Sequence, residues 1–596
     1  MPREYYIIYN PLTYNLMSLI GKNAGSNDIL SWLTGLDGSK LSSSNYLKFL
    51  NFDGRKVRKG MVETLAIESY TINYLANQIS RIDPHCEIYL SDGRRKTLKD
   101  IIESAGRKPK AVFITSMSSN FPAAAASAIV LNQGKIPTII GGIHVSTSPQ
   151  DIEIYIKRNA LYPDLIAQVI GPGDSKVIRK VIYDLSNFSL KDTYFGEKPI
   201  EDGVWGGERI IKMNPIKMEL LNRIPLIGKF LVNNIRINAI TPYLGCPYSC
   251  NFCSISTLPK HLRKFTSRNP EDFLNEIKSH QKNGVNWKNR FFFFLPDNLL
   301  VGRKQLDTLL DLIIENKVKI NYAAQVSINV ADDIKLLKKL RKSGATHFFI
   351  GFESLNKENL QCINKPIIHD ISKLEISVSD YYLKRIKIIQ NHGISIHGSF
   401  IFGLPYDYFL NCQDHTGLQI ENFCTKSHIG LQPCSITDLP GSLNFKKSQK
   451  ENTYLYGAWG TSDYLIGMCL ADLTETNKVP PDSLHNSPLL VFYMAYEAIQ
   501  RAGRIKNTFF NGFFMFFKAF FNPTRNGLLN IRDRFTDAMW ALISQLTISQ
   551  YKDHGELIAF SRENIKGSFE RLYESEKNEK LKDLFKNYIS SFFSIK

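Results

Sequence analysis

No apolar run in the 596-residue chain approaches the roughly 18–20 residues that a membrane-spanning helix needs. The start, MPREYYIIYNPLTYN, carries Glu4 and lacks a basic stretch followed by an apolar one, so a secretory signal is not expected. Cysteine is scarce: nine residues, an odd number, which excludes the paired framework of a disulfide-built secreted protein. A long basic run is also missing. Lys and Arg total 74 against 56 Asp and Glu, a formal charge of +18. Spread along the chain, that charge suits anionic partners in general, and a nucleic-acid footprint is not expected. Disorder is excluded as well. The chain is 43% apolar, 12% aromatic and 22% charged, which leaves ample surface to bury. At about 150 residues per domain, the length suggests three or four domains.

What is present begins with strands alternating with helices. YYIIYN near residue 5, EIYL at 87–90, AVFIT at 111–115, IPTII at 136–140 and DLIAQVIG at 164–171 are β-rich runs. Between them, residues 61–80 place Leu65, Ile72, Leu75 and Ile79 at helical spacing. FPAAAASAIVLNQG is an Ala-rich helix stopped at Gly134. This rhythm predicts a doubly wound parallel sheet, with ligands beyond the carboxyl ends of its strands. Residues 191–235, with the short amphipathic stretch MELLNRIPLIGKFL, read as a connector. From 236 to 441 six further strand candidates recur: RINAITPYLG, RFFFFLPD, INYAAQVSI, THFFIGFES, SIHGSFIFGLP and IGLQPCSITDLPG. Helical stretches lie between them. Six such units predict a partial (β/α)6 barrel, whose chemistry would sit at the carboxyl ends of its strands. Residues 442–596 lose the strand rhythm and read as mainly helical.

Cys246, Cys250 and Cys253 lie within one short loop after the first strand of the second series. The spacing is too compact for disulfides between distant elements. A structural zinc normally has four ligands, often in two Cys-x2-Cys pairs, and the other six cysteines are isolated. Three thiolates around an iron–sulfur cubane would leave one iron open to a substrate or cofactor. Spacing alone leaves zinc and cluster both standing. With Phe252 before the last Cys, the loop resembles the Cys-x3-Cys-x-aromatic-Cys loop of the radical SAM superfamily.

That resemblance implies a [4Fe–4S] cluster on Cys246, Cys250 and Cys253. Its fourth iron would chelate S-adenosylmethionine (SAM) and, on one-electron reduction, give a 5′-deoxyadenosyl radical. It also implies SAM contacts from Phe252, from Asp297 after the second strand, and from Gln325 and Ser327 on the third. Glu353 at the end of the fourth completes the set, and Gly403-Leu404-Pro405 resembles the family's turn of that composition. A carboxylate such as Glu353, ending an apolar strand, needs a partner when buried.

The first 190 residues resemble the cobalamin-binding domain that precedes many radical SAM barrels. The likeness rests on Ser116 and Ser118 after one strand, Gly141-Gly142-x-His144 after the next, and Gly171-x-Gly173 after a third. Glycine permits close backbone approach to a large ligand. Asp83-Pro84-His85 has only the first members of the family's cobalt-ligating Asp-x-His-x-x-Gly motif. A His ligand from it is therefore not expected, and His144 is expected to be a loop or tail contact.

Together the resemblance covers residues 1–440 and implies a cobalamin-dependent radical SAM enzyme. The leading expectation is methyl transfer, through the radical and methylcobalamin, to an unactivated carbon of a small molecule or lipid. A radical cyclase or rearrangement enzyme with the same cofactors is the second reading, and a cobalamin-binding sensor on a retained barrel is the non-enzymatic one. A tRNA methylthiotransferase needs three more cysteines in the first domain, where only Cys86 occurs. The expected partners are the substrate and an electron donor such as a flavodoxin or ferredoxin. Residues 508–525 hold eight Phe. They would fill a core or line an apolar pocket, or else lie on a membrane surface with basic residues at the headgroups. A cluster needs a reducing compartment, so the expected location is the cytoplasm.

Overall fold

A computed structural model describes residues 3–11, 70–91, 98–197 except 119, and 237–281 except 259–264. It also describes residues 290–451 except 412, 437 and 438, residues 505–548 except 527 and 528, and isolated positions at 494, 498, 583, 586 and 590. The expected connector lies almost wholly outside the described residues, as does the start of the helix expected at 61–80.

Strand β1 (Tyr5–Tyr9) is buried along its whole length. Its aromatic and β-branched side chains suit a strand covered on both faces. It lies between β2 (Glu87–Ser91) and β3 (Ala111–Thr115), and β4 (Thr138–Gly141), β5 (Ile166–Ile170) and β6 (Thr193–Phe195) follow outward. Every pair is parallel. Alternate residues of β1 serve different layers. Tyr5, Ile7 and Tyr9 pack with Phe121, Ala124, Ala128 and Ile101, on helices Phe121–Gln133 and Leu98–Ala105. Tyr6 and Ile8 pack with Ile72, Ile79, Val177 and Val181, on helices Tyr70–Ile82 and Ser175–Ser186. The doubly wound sheet expected from the strand–helix rhythm is the observed one. Its order, 2-1-3-4-5-6, reverses between β1 and β3 and so opens a crevice at their carboxyl ends.

The second sheet joins β7 (Asn238–Ile240), β10 (Phe291–Phe294), β11 (Asn321–Gln325), β12 (Ala345–Glu353), β13 (Ser395–Phe402) and β16 (Gly430–Ser435) in chain order. All neighbours are again parallel. Two small antiparallel pairs interrupt the series: β8 (Tyr243–Leu244) with β9 (Thr266–Ser267), and β14 (Phe409–Asn411) with β15 (Asp414–His415). The end strands β7 and β16 are not paired with each other, so the barrel is partial. Phe292, Phe294, Tyr322, Ile350, Phe352 and Phe400 point to the helical layer. Phe294 and Tyr322 stack there at 4.2 Å.

The opposite face of this sheet is covered from the C-terminal region. Phe291, Phe293 and Ala323 meet Met539, Trp540, Leu542 and Ile543 of helix Ile531–Ile548. Trp540 stacks on Phe291 at 4.3 Å. At the amino ends of the strands the same helix presents Asp537 to two buried guanidiniums, Arg341 and Arg525, and to Asn321 Nδ2 at 2.6 Å. Those cations hold the Asp537 carboxyl below its usual range against a larger opposing effect of burial. Gly344, at φ +126°, turns the chain from helix Ile334–Ser343 into β12. A Cβ there would lie 2.4 Å from the Ile320 carbonyl oxygen.

The Phe-rich helix Ile505–Phe520 serves in part as core. Met515 and Ala519 are buried, and Phe513 and Phe516 pack beside Trp540. Phe510, Phe517 and Phe521 are exposed. Among the described residues no helix is long and apolar enough to cross a membrane.

Candidate functional site

The cysteine loop lies beyond the carboxyl end of β7 and is held from three sides. Gly245 N donates to Asp297 Oδ2 at 2.9 Å, which ties the loop's start to the segment after β10. Asn251 Nδ2 donates to the Cys362 carbonyl at 3.0 Å, and Asn364 Nδ2 to the Ser249 carbonyl at 3.3 Å. Asn444 N donates to the Asn251 carbonyl at 3.1 Å. Within the loop, Cys253 N reaches the Cys250 carbonyl at 3.1 Å. Cys246, Cys250 and Cys253 are half-buried and form no disulfide. Burial raises the Cys246 and Cys250 thiols above their ordinary range. Metal coordination removes the thiol proton outright, so a three-thiol loop of this kind is chemically suited to an iron–sulfur cluster. Phe252 packs against the core of the second sheet.

The other expected residues of this half gather at the same edge. Asp297 follows β10 by three residues, and burial raises its carboxyl despite the Gly245 hydrogen bond. Gln325 ends β11 and is exposed. Ser327 lies past the strand on which it was expected, opening the turn Ile328–Asp332, and its Oγ accepts from Asn298 Nδ2 at 3.0 Å. Glu353 ends β12 with φ +66°, a rare conformation for a residue with a side chain. Its Oε1 lies 2.6 Å from Lys365 Nζ, the partner that burial demanded.

Sequence reasoning missed Lys365 and the network beneath it. Asp407 Oδ2 accepts from Gly403 N at 2.9 Å and from Leu404 N at 3.2 Å, and Oδ1 accepts from Asn359 Nδ2 at 2.9 Å. Asn359 Oδ1 accepts from Tyr406 N at 2.8 Å, and Asn359 Nδ2 also reaches Ser354 Oγ at 3.3 Å. The Gly-Leu-Pro turn is thereby fastened to the end of β12. Burial pushes the Asp407 carboxyl up to about 7, although all three donors oppose it. An acid two residues after that turn was the available signal.

In the first sheet, Gly141 ends β4, and Ser116, Ser118, Gly142, His144, Gly171 and Gly173 follow the carboxyl ends of β3, β4 and β5. The structure separates their roles. His144 is wholly buried. Its ring stacks on Phe121 at 3.9 Å, with Nδ1 3.1 Å from Ser118 Oγ and Nε2 3.1 Å from Asp151 Oδ2. Burial lowers its pKa, against the pull of Asp151. The expected loop contact is thus an interior residue that shapes the loop. Gly142, at φ +108°, lets that loop lie on β3's exit, since a Cβ would stand 2.3 Å from the Ser116 carbonyl oxygen. Gly171 N donates to Ser146 Oγ at 3.0 Å, and a Cβ on Gly173 would meet Leu75 at 3.0 Å. Ser116 Oγ differs: it is buried and finds no hydrogen-bond partner among the described residues. It lies beside the crevice where the sheet reverses, and an unanswered hydroxyl there fits a polar ligand.

Asp83 stands at the opposite, amino edge of the sheet. It accepts from Tyr6 OH at 3.0 Å and pairs with Lys110 at 3.6 Å, so the Asp83-Pro84-His85 segment is remote from these loops.

Residues 240–409 match the family model of the Radical SAM superfamily. A bacteriochlorophyllide d C-12(1)-methyltransferase of Chlorobaculum tepidum is 31% identical over 163 residues, 27% of this chain and 33% of that protein. A hopanoid C-2 methylase of Rhodopseudomonas palustris is 21% identical over 329 residues, 54% of each chain. The chain thus spans about a third and about half of these curated relatives. Among solved structures, a radical S-adenosylmethionine methyltransferase, TsrM, from Kitasatospora setae, bound to cobalamin and a [4Fe-4S] cluster, superposes with a TM-score of 0.49. It shows 12% identity and covers 76% of this chain and 79% of that one. Residues 240–409, which carry the three-thiol loop at the carboxyl edge of a partial parallel barrel, are thus similar to the domain of the radical SAM superfamily.

Proposed function

We propose that the chain is a cobalamin-dependent radical SAM methyltransferase acting on an unactivated carbon of a small-molecule or lipid substrate. The observation that carries the reading is the meeting, at one carboxyl edge, of the three-thiol loop with Asp297 and Glu353. When bound, cluster and SAM would supply hydrogen abstraction, and cobalamin the methyl group. Cys246, Cys250 and Cys253 would hold the cluster. Asp297 braces the loop through Gly245. Glu353 offers an anionic contact for the amino group of SAM, with Phe252, Gln325 and Ser327 nearby in the fold as the further candidates. Asn359 and Asp407 keep the end of β12 and the Gly-Leu-Pro turn in fixed relation, which serves positioning.

For cobalamin, the supporting features are the crevice at the sheet's reversal and the unanswered Ser116 hydroxyl. Ser118 and His144 would act through the loop they brace. Gly141, Gly142, Gly171 and Gly173 would let backbone line the cofactor. The two curated relatives carry names of methyl-transferring enzymes on a bacteriochlorophyllide and a hopanoid, which favours a large, mainly apolar substrate here. A small electron-transfer protein of the flavodoxin or ferredoxin class would supply the electron, in the reducing cytoplasm.

The test is a turnover assay on protein purified anaerobically with cobalamin, using the cognate substrate once a candidate panel of apolar compounds yields turnover. S-adenosylhomocysteine and 5′-deoxyadenosine formed together support methyl transfer by the radical route. 5′-Deoxyadenosine alone shifts the reading to a cyclase or rearrangement enzyme. Neither product, with cluster and cobalamin loaded, removes the enzymatic reading.

A further inference from the structure

The turn that follows helix Lys357–Cys362 grips the cysteine loop. The two hydrogen bonds cross in opposite directions: Asn251 donates to the Cys362 carbonyl, and Asn364 donates to the Ser249 carbonyl. Asn364 has φ +55°, a left-handed conformation that asparagine tolerates better than most residues. Lys365 N closes the turn on the Leu360 carbonyl at 3.0 Å. Lys365 is the next residue after the clasp, so its position is fixed relative to the thiols on the far side of those hydrogen bonds.

Its side chain is only 16% exposed, and its ammonium lies 2.6 Å from Glu353. Room for the pair comes from Gly351. A Cβ there would stand 2.2 Å from Glu353 Oε1 and 3.3 Å from Lys365 Nζ. Ordering a lysine costs side-chain entropy, and an exposed ion pair returns little. Here a left-handed glutamate, a bare glycine and a two-point clasp all converge on one ammonium.

We propose that Lys365 is a positioning residue for the iron–sulfur cluster of the cysteine loop, whose clasped ammonium raises the cluster's reduction potential. The inference rests on the cluster assignment made under Proposed function. Its physical basis is that one-electron reduction adds a negative charge to an already anionic group. A fixed cation nearby in a medium of low dielectric stabilises the reduced form more than the oxidised one. Glu353 offsets part of that effect until its carboxylate is engaged elsewhere.

The experiment is a redox titration, followed by electron paramagnetic resonance, on the anaerobically reconstituted full chain without SAM. Iron and sulfide are counted first. A wild-type chain that holds no cluster removes the cluster reading itself, before Lys365 is in question. With the cluster in place, Lys365→Met is expected to lower the ratio of reduced to oxidised cluster about tenfold at the wild-type midpoint, a shift of about 59 mV for a one-electron couple. Lys365→Arg should keep the wild-type midpoint. Glu353→Gln combined with Lys365→Met should recover part of the shift, because the carboxylate left unpaired in the single variant is gone. A Lys365→Met chain that holds four irons and titrates at the wild-type midpoint overturns the proposal. If Lys365→Met cannot be loaded, Lys365→Arg decides: loading with the wild-type midpoint supports the charge, and failure to load contradicts it.

Discussion

The two sheets have equal numbers of strands and the same parallel sense, yet they use their faces differently. In the first, β1 sits inside the order and each face receives its own pair of helices, so there are two cores. In the second, strands follow one another in chain order, and one large core forms on the side of the connecting helices. Its other face is left to the C-terminal helix, which brings Trp540 and Ile543 against Phe291 and Phe293. Order therefore decides where a ligand can lie. A reversal opens a crevice at the sheet's edge, whereas a curling sheet offers the rim of its strands. The chain has both kinds of place, and its candidate residues divide between them.

The sharpest way to break this contrast is to remove the helix that covers only the second sheet. Asp537→Ala would leave Arg341 and Arg525 buried without their carboxylate. Loss of one member of such a buried pair typically costs about 3–5 kcal/mol. Differential hydrogen exchange should show helix Ile531–Ile548 and strands β10 to β12 opening, with β1 to β5 unaffected. Equal loss of protection in both sheets would show that they fold as one unit.

A smaller change addresses the first sheet alone. Gly142→Ala places a Cβ against the Ser116 carbonyl and holds φ in an unfavourable region. Strain and overpacking of this sort cost about 1–3 kcal/mol each. Chemical denaturation should show the loss, and cobalamin affinity should fall while the iron content stays the same. Unchanged stability and affinity would mean that the loop relaxes without the glycine.

The last test is read only across a pH window and concerns Asp407. Its carboxyl is raised to about 7 from an ordinary value of 3.8, so between those values the folded chain binds the proton more tightly than the unfolded one. Stability is then fully present below pH 4 as far as this group is concerned, and falls as pH climbs towards 7. Asp407→Asn should flatten the melting temperature across that window. Its one oxygen can keep both turn amides, at the cost of the hydrogen bond from Asn359 Nδ2. A slope unchanged by the substitution would show that Asp407 does not titrate there.

Strand–helix alternation and the three-thiol loop were readable because both are local. Each β-rich run shows its own pattern, and three cysteines within one loop need no folding to be neighbours. Long-range packing hid the rest. Lys365 joins the site through Asn364 and Ser249, which lie 115 residues apart in sequence, and no periodicity announces that pairing. His144 reads as a loop residue until Phe121 and Asp151 are brought onto it. Ser327 reads as strand because Gln325 does, but β11 ends two residues earlier. The Phe-rich helix allowed two readings because some of its rings, Phe513 and Phe516, pack beside Trp540 while others, Phe510 and Phe517, are exposed. The reversal of strand order between β1 and β3 is likewise invisible in the runs themselves.

The central claim is that two cofactors are held by two separate sheets. Metal analysis of the anaerobically prepared chain beside its Cys246→Ala, Cys250→Ala, Cys253→Ala triple variant tests it most directly. The account predicts four irons and one cobalt per wild-type chain, and no iron with one cobalt in the triple variant. Iron that survives the three substitutions, or a wild-type chain that takes up no cobalt, would contradict it.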